Sequence, residues 1–283
     1  MIEFFAALTD PNLPFVRYAV ITGLLSAIPF GIIGTFVVVR RISYIAGAIS
    51  HCILGGVGAG LYVQNAMGVT WFGPLHGAII VALLAAVILS LVSLFAKQRE
   101  DSVIGALWAA GMGIGLLFLA KTPGYVDPMS YLFGNILLIT KSDIYFVLAL
   151  DVLVVGVIAI FYNTFLGVCF DEEYAGLRGI HTHWFYLILL CLTALTIVLL
   201  VRVVGIVMVI ALLTLPAAIA GNFANSVKQM MVLATLLCGI FILAGLSTSY
   251  SMDLPSGPVI IVIAAAVYLC VVVGMKFLPA RSS

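Results

Sequence analysis

The chain has 283 residues, of which 64% are hydrophobic and only 8% charged, whereas an ordinary soluble domain carries about 25% charged residues. That balance excludes a soluble globular protein, and a formal net charge of +1 argues against nucleic acid as a partner. What remains is an all-α, polytopic helical membrane protein, read as spans of about 20 apolar residues and the loops between them.

Nine candidate spans follow in order: Phe15–Val39, Tyr44–Asn65, Leu75–Ala96, Ser102–Ala120, Ile144–Tyr162, Trp184–Val201, Val203–Gly221, Met231–Leu246 and Val259–Met275. Ahead of the first, Glu3 and Asp10 stand where a secretory leader would have a basic region, so that span is read as retained. The seventh contains Thr214 and Pro216 and follows Arg202 with almost no connector, so it is either a full crossing or a broken, re-entrant one. Eight or nine crossings are therefore expected. No repeat, low-complexity tract or charge block divides the chain, which reads as one membrane domain over residues 1–283.

The second span organises the rest. Its sequence with the preceding turn is RRISYIAGAISHCILGGVGAGL, from Arg40 to Leu61. As a helix it places His51, with Ser50 beside it, about 10 Å along the axis from Tyr44 and inside the hydrocarbon. An ionisable group at that depth is a functional candidate. Gly47 and Gly55 lie one turn to either side of His51, a pattern that leaves room for an ion. A second ridge, Ala48, Cys52, Gly56 and Gly60, is small enough for another helix to approach closely. His51 alone is also compatible with a hydrogen-bonded bundle residue, and both readings stand at this point.

The lysines and arginines give an orientation. With the N-terminus outside and the C-terminus in the cytoplasm, Arg40, Arg41, Lys97, Arg99, Arg178, Lys228, Lys276 and Arg281 are inside, and Arg17, Lys121, Lys141 and Arg202 are outside. Trp71, Tyr125 and Tyr131 then fall in outward loops, where an aromatic belt belongs. The outward segment Lys121–Asp143 combines Pro123, Gly124 and Pro128 with an apolar patch at Tyr131–Ile139, which predicts a docked loop or a short surface helix.

The inward connection, residues 163–183, holds three acids in a row. Asp171 is a suitable N-cap, Glu172 and Glu173 suit the positive end of a helix dipole, and Gly179 gives a stop. A short cytoplasmic helix is expected, exposing Tyr174, Ala175 and Leu177 either to a groove on a soluble partner or simply to solvent.

Other chemical candidates are few. Asp151 is the only acid deep in an apolar run, and it is either a carboxylate for an ion or a partner for a buried polar group. His181 and His183, spaced i, i+2, do not share a helical face and read as loop residues. His76 sits at an outer membrane edge. Five cysteines without a C-x-x-C pair indicate neither a disulfide framework nor a thiolate metal site. No H-E-x-x-H, G-x-S-x-G or P-loop pattern occurs, so the chain is not read as an enzyme and has no ATPase site of its own.

The segments RRISYIAGAISHCILGGVGAG, YLFGNILLIT, FDEEYAGLRGI, VVGIVMVIALLTLPAAIA and SYSMDLPSGPVI, in this order, resemble the permease subunits of bacterial ABC importers for divalent transition metals, the zinc, manganese and iron chelate type. Two positions depart from that family: Gly47 stands where it usually has an aspartate, and Gly55 where a proline follows the histidine.

The resemblance implies a multi-pass permease of the bacterial cytoplasmic membrane, surrounded by lipid and working as a homodimer with a second copy of itself. It also implies a cytoplasmic ABC ATPase subunit seated on Asp171–Gly179 (Asp171, Glu172, Glu173, Tyr174, Ala175, Gly179) and an extracytoplasmic metal-binding protein. His51, Ser50 and Asp151 are the candidate metal path, and Gly47, Gly55, Gly56, Gly60 and Pro216 the candidate packing positions. No cofactor is expected to be permanently bound: the divalent metal is cargo, and ATP belongs to the partner subunit. The rival readings are a secondary transporter driven by an ion gradient, with Asp151 as the coupling acid, and an intramembrane hydrolase, disfavoured by the missing motifs.

Overall fold

The computed structural model describes residues 4, 7–8, 13–95, 100–124, 132–134 and 139–277. Ten helices are labelled here: α1 (Pro14–Val39), α2 (Ser43–Ala66), α3 (Pro74–Phe95), α4 (Glu100–Lys121), α5 (Lys141–Phe170), α6 (Glu172–Leu177), α7 (Thr182–Val204), α8 (Ile206–Gly221), α9 (Val227–Met252) and α10 (Ser256–Phe277). Eight of them are long and apolar enough to cross a membrane. Helices are the expected solution, because a lipid-exposed backbone must satisfy its hydrogen bonds within the segment. Lys97, Arg99, Tyr125, Tyr131 and Arg281, used above for orientation and the aromatic belt, lie outside the described residues.

The short α8 has 16 residues, about 24 Å at ~1.5 Å per residue, less than the ~30 Å of hydrocarbon. It nevertheless joins the two faces of the bundle. A Cβ on Gly205, just before α8, would overlap the backbone of Phe133 and Gly134, and one on Gly257, at the start of α10, would overlap the Phe133 carbonyl. The start of α8 and the end of α9 thus lie on the face that carries the 121–141 loop, and α8 must cross for the 26-residue α9 to return there. Its shortness is tolerated because α1, α7, α9 and α10 surround it, with Met208, Leu212, Leu213 and Pro216 buried. Gly205 adopts φ +86, a region open to glycine, and breaks α7 from α8. Of the expected docked loop or short surface helix, Leu132–Gly134 are described and pack against Gly205 and Gly257; most of the remainder of its apolar patch lies outside the described residues.

One boundary differs from the sequence reading. The fifth span does not stop at Tyr162 but continues to Phe170, so the inward connection is Asp171–His181 and not residues 163–183. Phe165 and Val168 are fully buried in this extension, and the burial offsets the weak helix preference of Asn163, Thr164 and Gly167. At 30 residues, with a kink at Phe161 (φ -108, ψ 20), α5 has a contour of about 45 Å, long enough to carry α6 beyond the ~30 Å of hydrocarbon. The opposite end is capped by Asp143, whose carboxylate accepts hydrogen bonds from the Thr140 N–H at 2.9 Å and the Thr140 hydroxyl at 2.6 Å.

Two groups of helices make up the bundle. Helix α2 packs closely on α3 and α4, while α1 packs on α5, α8 and α9, and α7 bridges α3 to α5. The first group is glycine-lined: a Cβ on Gly58 would lie 2.5 Å from the Gly115 carbonyl oxygen of α4, and one on Gly60 2.6 Å from the Gly73 carbonyl oxygen beside α3. Gly56 meets Gly77 of α3 more closely still. Such backbone-to-backbone contact compensates for the absence of a hydrophobic drive between helices in lipid.

Candidate functional site

His51 projects from α2 toward α4, where its ring stacks on Trp108 with centroids 4.3 Å apart and planes 17° from parallel. The Tyr44 ring also meets Trp108, with centroids 6.0 Å apart. The space expected around the imidazole is therefore taken up: a Cβ on Gly47 would lie 3.4 Å from the Trp108 ring, and one on Gly55 2.9 Å from the Gly111 carbonyl oxygen. Gly47 makes room for the indole and Gly55 for the α4 backbone. His51 itself is half-buried, and its Nδ1 is buried without a hydrogen-bond partner.

Ser50 is fully buried and donates its hydroxyl to the Ala46 carbonyl at 2.9 Å. Its oxygen is thus occupied within α2. Asp151 lies on α5, which packs on α1 and α7, whereas α2 packs chiefly on α3 and α4. The bundle does not bring Asp151 and His51 together, and among the described residues no three His, Cys, Asp or Glu side chains gather at one point. His76 accepts a hydrogen bond at Nδ1 from the Gly73 N–H at 3.4 Å and stacks near Phe72.

At the other end, α6 forms as the acidic sequence predicts. Asp171 caps it, accepting from the Tyr174 N–H at 2.8 Å, and Gly179 at φ +81 ends the turn that follows. Tyr174 and Leu177 are 53% and 88% exposed, but Ala175 is only 2% exposed. Ala175 is thus a correction to the expected exposed set: it faces Gly167 of α5, whose added Cβ would stand 3.6 Å away, and it seats α6 on that helix. Glu173 points to solvent.

Glu172 instead points inward and forms an ion pair with Arg40, the residue that caps α1. The Arg40 guanidinium also lies 5.6 Å from the ring centre of Tyr186 on α7, and His183 Nδ1 lies 3.9 Å from the other Glu172 oxygen. The acidic helix is thereby fixed to the turn that leads directly into α2. Sequence reasoning missed Arg40 in this role and Trp108 beside His51. Trp108 is one of three tryptophans and sits amid small residues in its span, a signal that it fills a gap.

Comparison with known proteins adds the family. The chain matches the ABC 3 transport family over residues 12–275. It is 38% identical over 86% of its length to a probable metal transport system membrane protein of Chlamydia trachomatis, covering 83% of that protein. It is 30% identical over 90% of its length to the manganese transport system membrane protein MntC of Listeria innocua, covering 88% of that protein. Among solved structures, PsaBC from Streptococcus pneumoniae in complex with Fab superposes with a TM-score of 0.84 at 29% identity, covering 96% of this chain and 95% of that one. The chain belongs to the ABC 3 transport family.

Proposed function

We propose that this ABC 3 family chain is the permease subunit of an ATP-driven importer that carries a divalent transition metal across the bacterial cytoplasmic membrane, with manganese the first ion to test. The observation that carries the reading is near full-length similarity to proteins named as metal and manganese transport membrane proteins, combined with a capped acidic helix held outside the span bundle on a long α5. The chain is placed with its N-terminus outside and α6 in the cytoplasm, where Tyr174, Glu173 and Leu177 meet a separate ATPase subunit. An extracytoplasmic binding protein delivers the metal to the opposite face.

The working form is a homodimer. Supporting this, α4, whose Trp108 stacks on the half-buried His51, leaves Gly105, Ala109 and Gly113 exposed. A second copy apposed there would bring two imidazoles toward one axis, and nitrogen ligands with water suit a borderline cation that must also be released. Zinc or iron as cargo is an outcome of the same test.

The test is reconstitution of the chain with its ATPase and binding protein in proteoliposomes and measurement of radioactive manganese uptake. Uptake that requires ATP and both partners is expected. Uptake by the chain alone, driven by a proton or sodium gradient, would overturn the reading.

A further inference from the structure

Of the buried hydroxyls in the spans, Ser247 on α9 is without a partner, whereas Thr35, Ser50 and Thr193 each donate to the carbonyl one turn back, at 2.7, 2.9 and 2.8 Å. Thr22, Ser26 and Thr196 do not, although all three are fully buried, and both carboxylate oxygens of Asp151, 5% exposed, are also without a partner. These four residues lie on α1, α5 and α7, which pack against one another.

Three aromatic rings fix how those helices register. Phe36 of α1 and Phe165 of α5 have ring centres 5.8 Å apart, and Phe165 and Phe185 of α7 are also 5.8 Å apart. From this junction Thr22 is 14 residues toward the loop face on α1 (36 − 22), and Asp151 is 14 residues toward it on α5 (165 − 151). Thr196 is 11 residues toward the same face on the antiparallel α7 (196 − 185). Phe161 is non-helical within α5 and Pro29 interrupts α1, so the faces follow from burial and not from ideal helix phase. On α5 the buried residues Val147, Asp151, Val154, Ile158 and Phe165 form one row; on α1 Thr22, Ser26, Ile33 and Phe36 do so, and on α7 Leu189, Thr193 and Thr196. At ~1.5 Å per residue Thr22, Asp151 and Thr196 lie about 17 to 21 Å along the bundle from the rings. Ser26 follows Thr22 by one turn.

Pro29 adds one more oxygen. It has no N–H, so the Leu25 carbonyl loses its i→i−4 donor, beside Ser26. The layer therefore gathers a carboxylate, three hydroxyls and a freed carbonyl, all hard oxygen donors. The other charged side chains described on these helices are elsewhere: Arg17 bonds the Leu8 carbonyl, Arg40 pairs with Glu172, Asp143 bonds Thr140, and Lys141 and His183 lie at helix starts.

We propose that Asp151, Thr22, Ser26 and Thr196, with the Leu25 carbonyl, form a buried site for one monovalent cation of the sodium class, held between α1, α5 and α7. Charge selects the valence. One carboxylate is neutralised by one positive charge, whereas a divalent ion would leave an uncompensated charge in an apolar interior. Donor number selects sodium over a proton, since a proton needs one acceptor and leaves the other oxygens unused. The site stands apart from His51 and does not depend on the transport reading: it is a structural clamp joining the helix that carries α6 to the helices that flank it.

The test is thermal unfolding of the purified full-length chain in lipid nanodiscs, in sodium chloride against choline chloride of equal concentration and pH, because a ion bound only by the folded state raises the midpoint with its concentration. A saturable rise in Tm with sodium is expected. Asp151→Asn should abolish it, Thr196→Val should move it to higher sodium, and Thr193→Val, whose hydroxyl is already bonded, should leave it unchanged. Equal Tm in the two salts, a sodium effect that survives Asp151→Asn, a midpoint set by pH alone, or replacement of sodium by manganese would each overturn the assignment. If Asp151→Asn is not monodisperse, the Thr196→Val titration decides.

Discussion

The Arg40–Glu172 pair offers the sharpest test of how α6 is tied to the bundle. Its side chains are 24% and 36% exposed, between the surface regime, where an ion pair is worth about 0.2–1 kcal/mol, and the buried one, where removing a partner costs about 3–5 kcal/mol. Neutralising Glu172 should therefore weaken the docked position of α6 by about 1–2 kcal/mol, a 5- to 30-fold change in a two-state population. Arg40 keeps its place over Tyr186 in that variant, a contact worth about 0.5–1 kcal/mol, so the fold should survive. The assay is metal taken up per ATP hydrolysed in the reconstituted importer, for Arg40→Met, Glu172→Gln and the double variant. Each single variant should lower that ratio several-fold, and the double should be no worse than the poorer single, because the second substitution removes a partner already lost. Additive losses, or single variants coupled like the parent, would refute the linkage. If the parent itself takes up no metal with ATP, the importer assignment fails instead, and the two failures are separable.

His51→Ala should abolish metal uptake while co-purification with the ATPase is unchanged; undiminished flux would remove His51 from the path. Gly56→Ala drives a methyl into the Gly77 carbonyl across the α2–α3 contact, and overpacking of this kind costs about 1–3 kcal/mol. A lower Tm in nanodiscs is expected, whereas Gly156→Ala on α5, with nothing within 4 Å of the added carbon, should not lower the Tm. Ala175→Trp should lift α6 from α5 and reduce ATP-coupled uptake, with the chain still monodisperse on size exclusion. Normal coupling in Ala175→Trp would show that the seat of α6 is not needed.

Apolar run length carried most of the architecture, because in a membrane the number and approximate limits of helices are dictated by hydrocarbon thickness. Where the expected limits moved, tertiary burial was the cause. The end of α5 reads as a polar, glycine-containing loop from Asn163 to Gly167, yet Phe165 is clamped between Phe36 and Phe185, rings 129 residues before it (165 − 36) and 20 after it (185 − 165). The buried face of α6 was likewise illegible. A helix of six residues has too few positions for periodicity to mark a side, so Ala175 could be assigned inward only by its neighbour Gly167. The glycine ridge was legible as a packing surface, but which helix it meets was not: Gly55 faces α4 and Gly56 faces α3, one residue apart. Arg40 and Glu172 lie 132 positions apart, and no local pattern pairs them.

Taken together, the contacts around Arg40 say how a push on α6 would travel. Helices α2, α3 and α4 touch closely through glycine backbones, and α2 and α4 are further joined by the Tyr44, His51 and Trp108 rings, so they are expected to move as one piece. The link from α1 into that piece is only Arg40 to Ile42. It is stiff: Arg41 is held at φ +61, a conformation that costs a non-glycine residue roughly 1–2 kcal/mol, and the Ile42 N–H closes back on the Val37 carbonyl at 2.9 Å. Since Glu172 grips Arg40, displacement of α6 acts at the entry to α2, nine residues before His51 in the same helix from its Ile42 cap (51 − 42). That is about 13 Å of continuous helix, without proline or any break. A movement imposed on α6 is therefore expected to reach the His51–Trp108 stack by rotation of the α2–α3–α4 piece, with no break in α2 to absorb it.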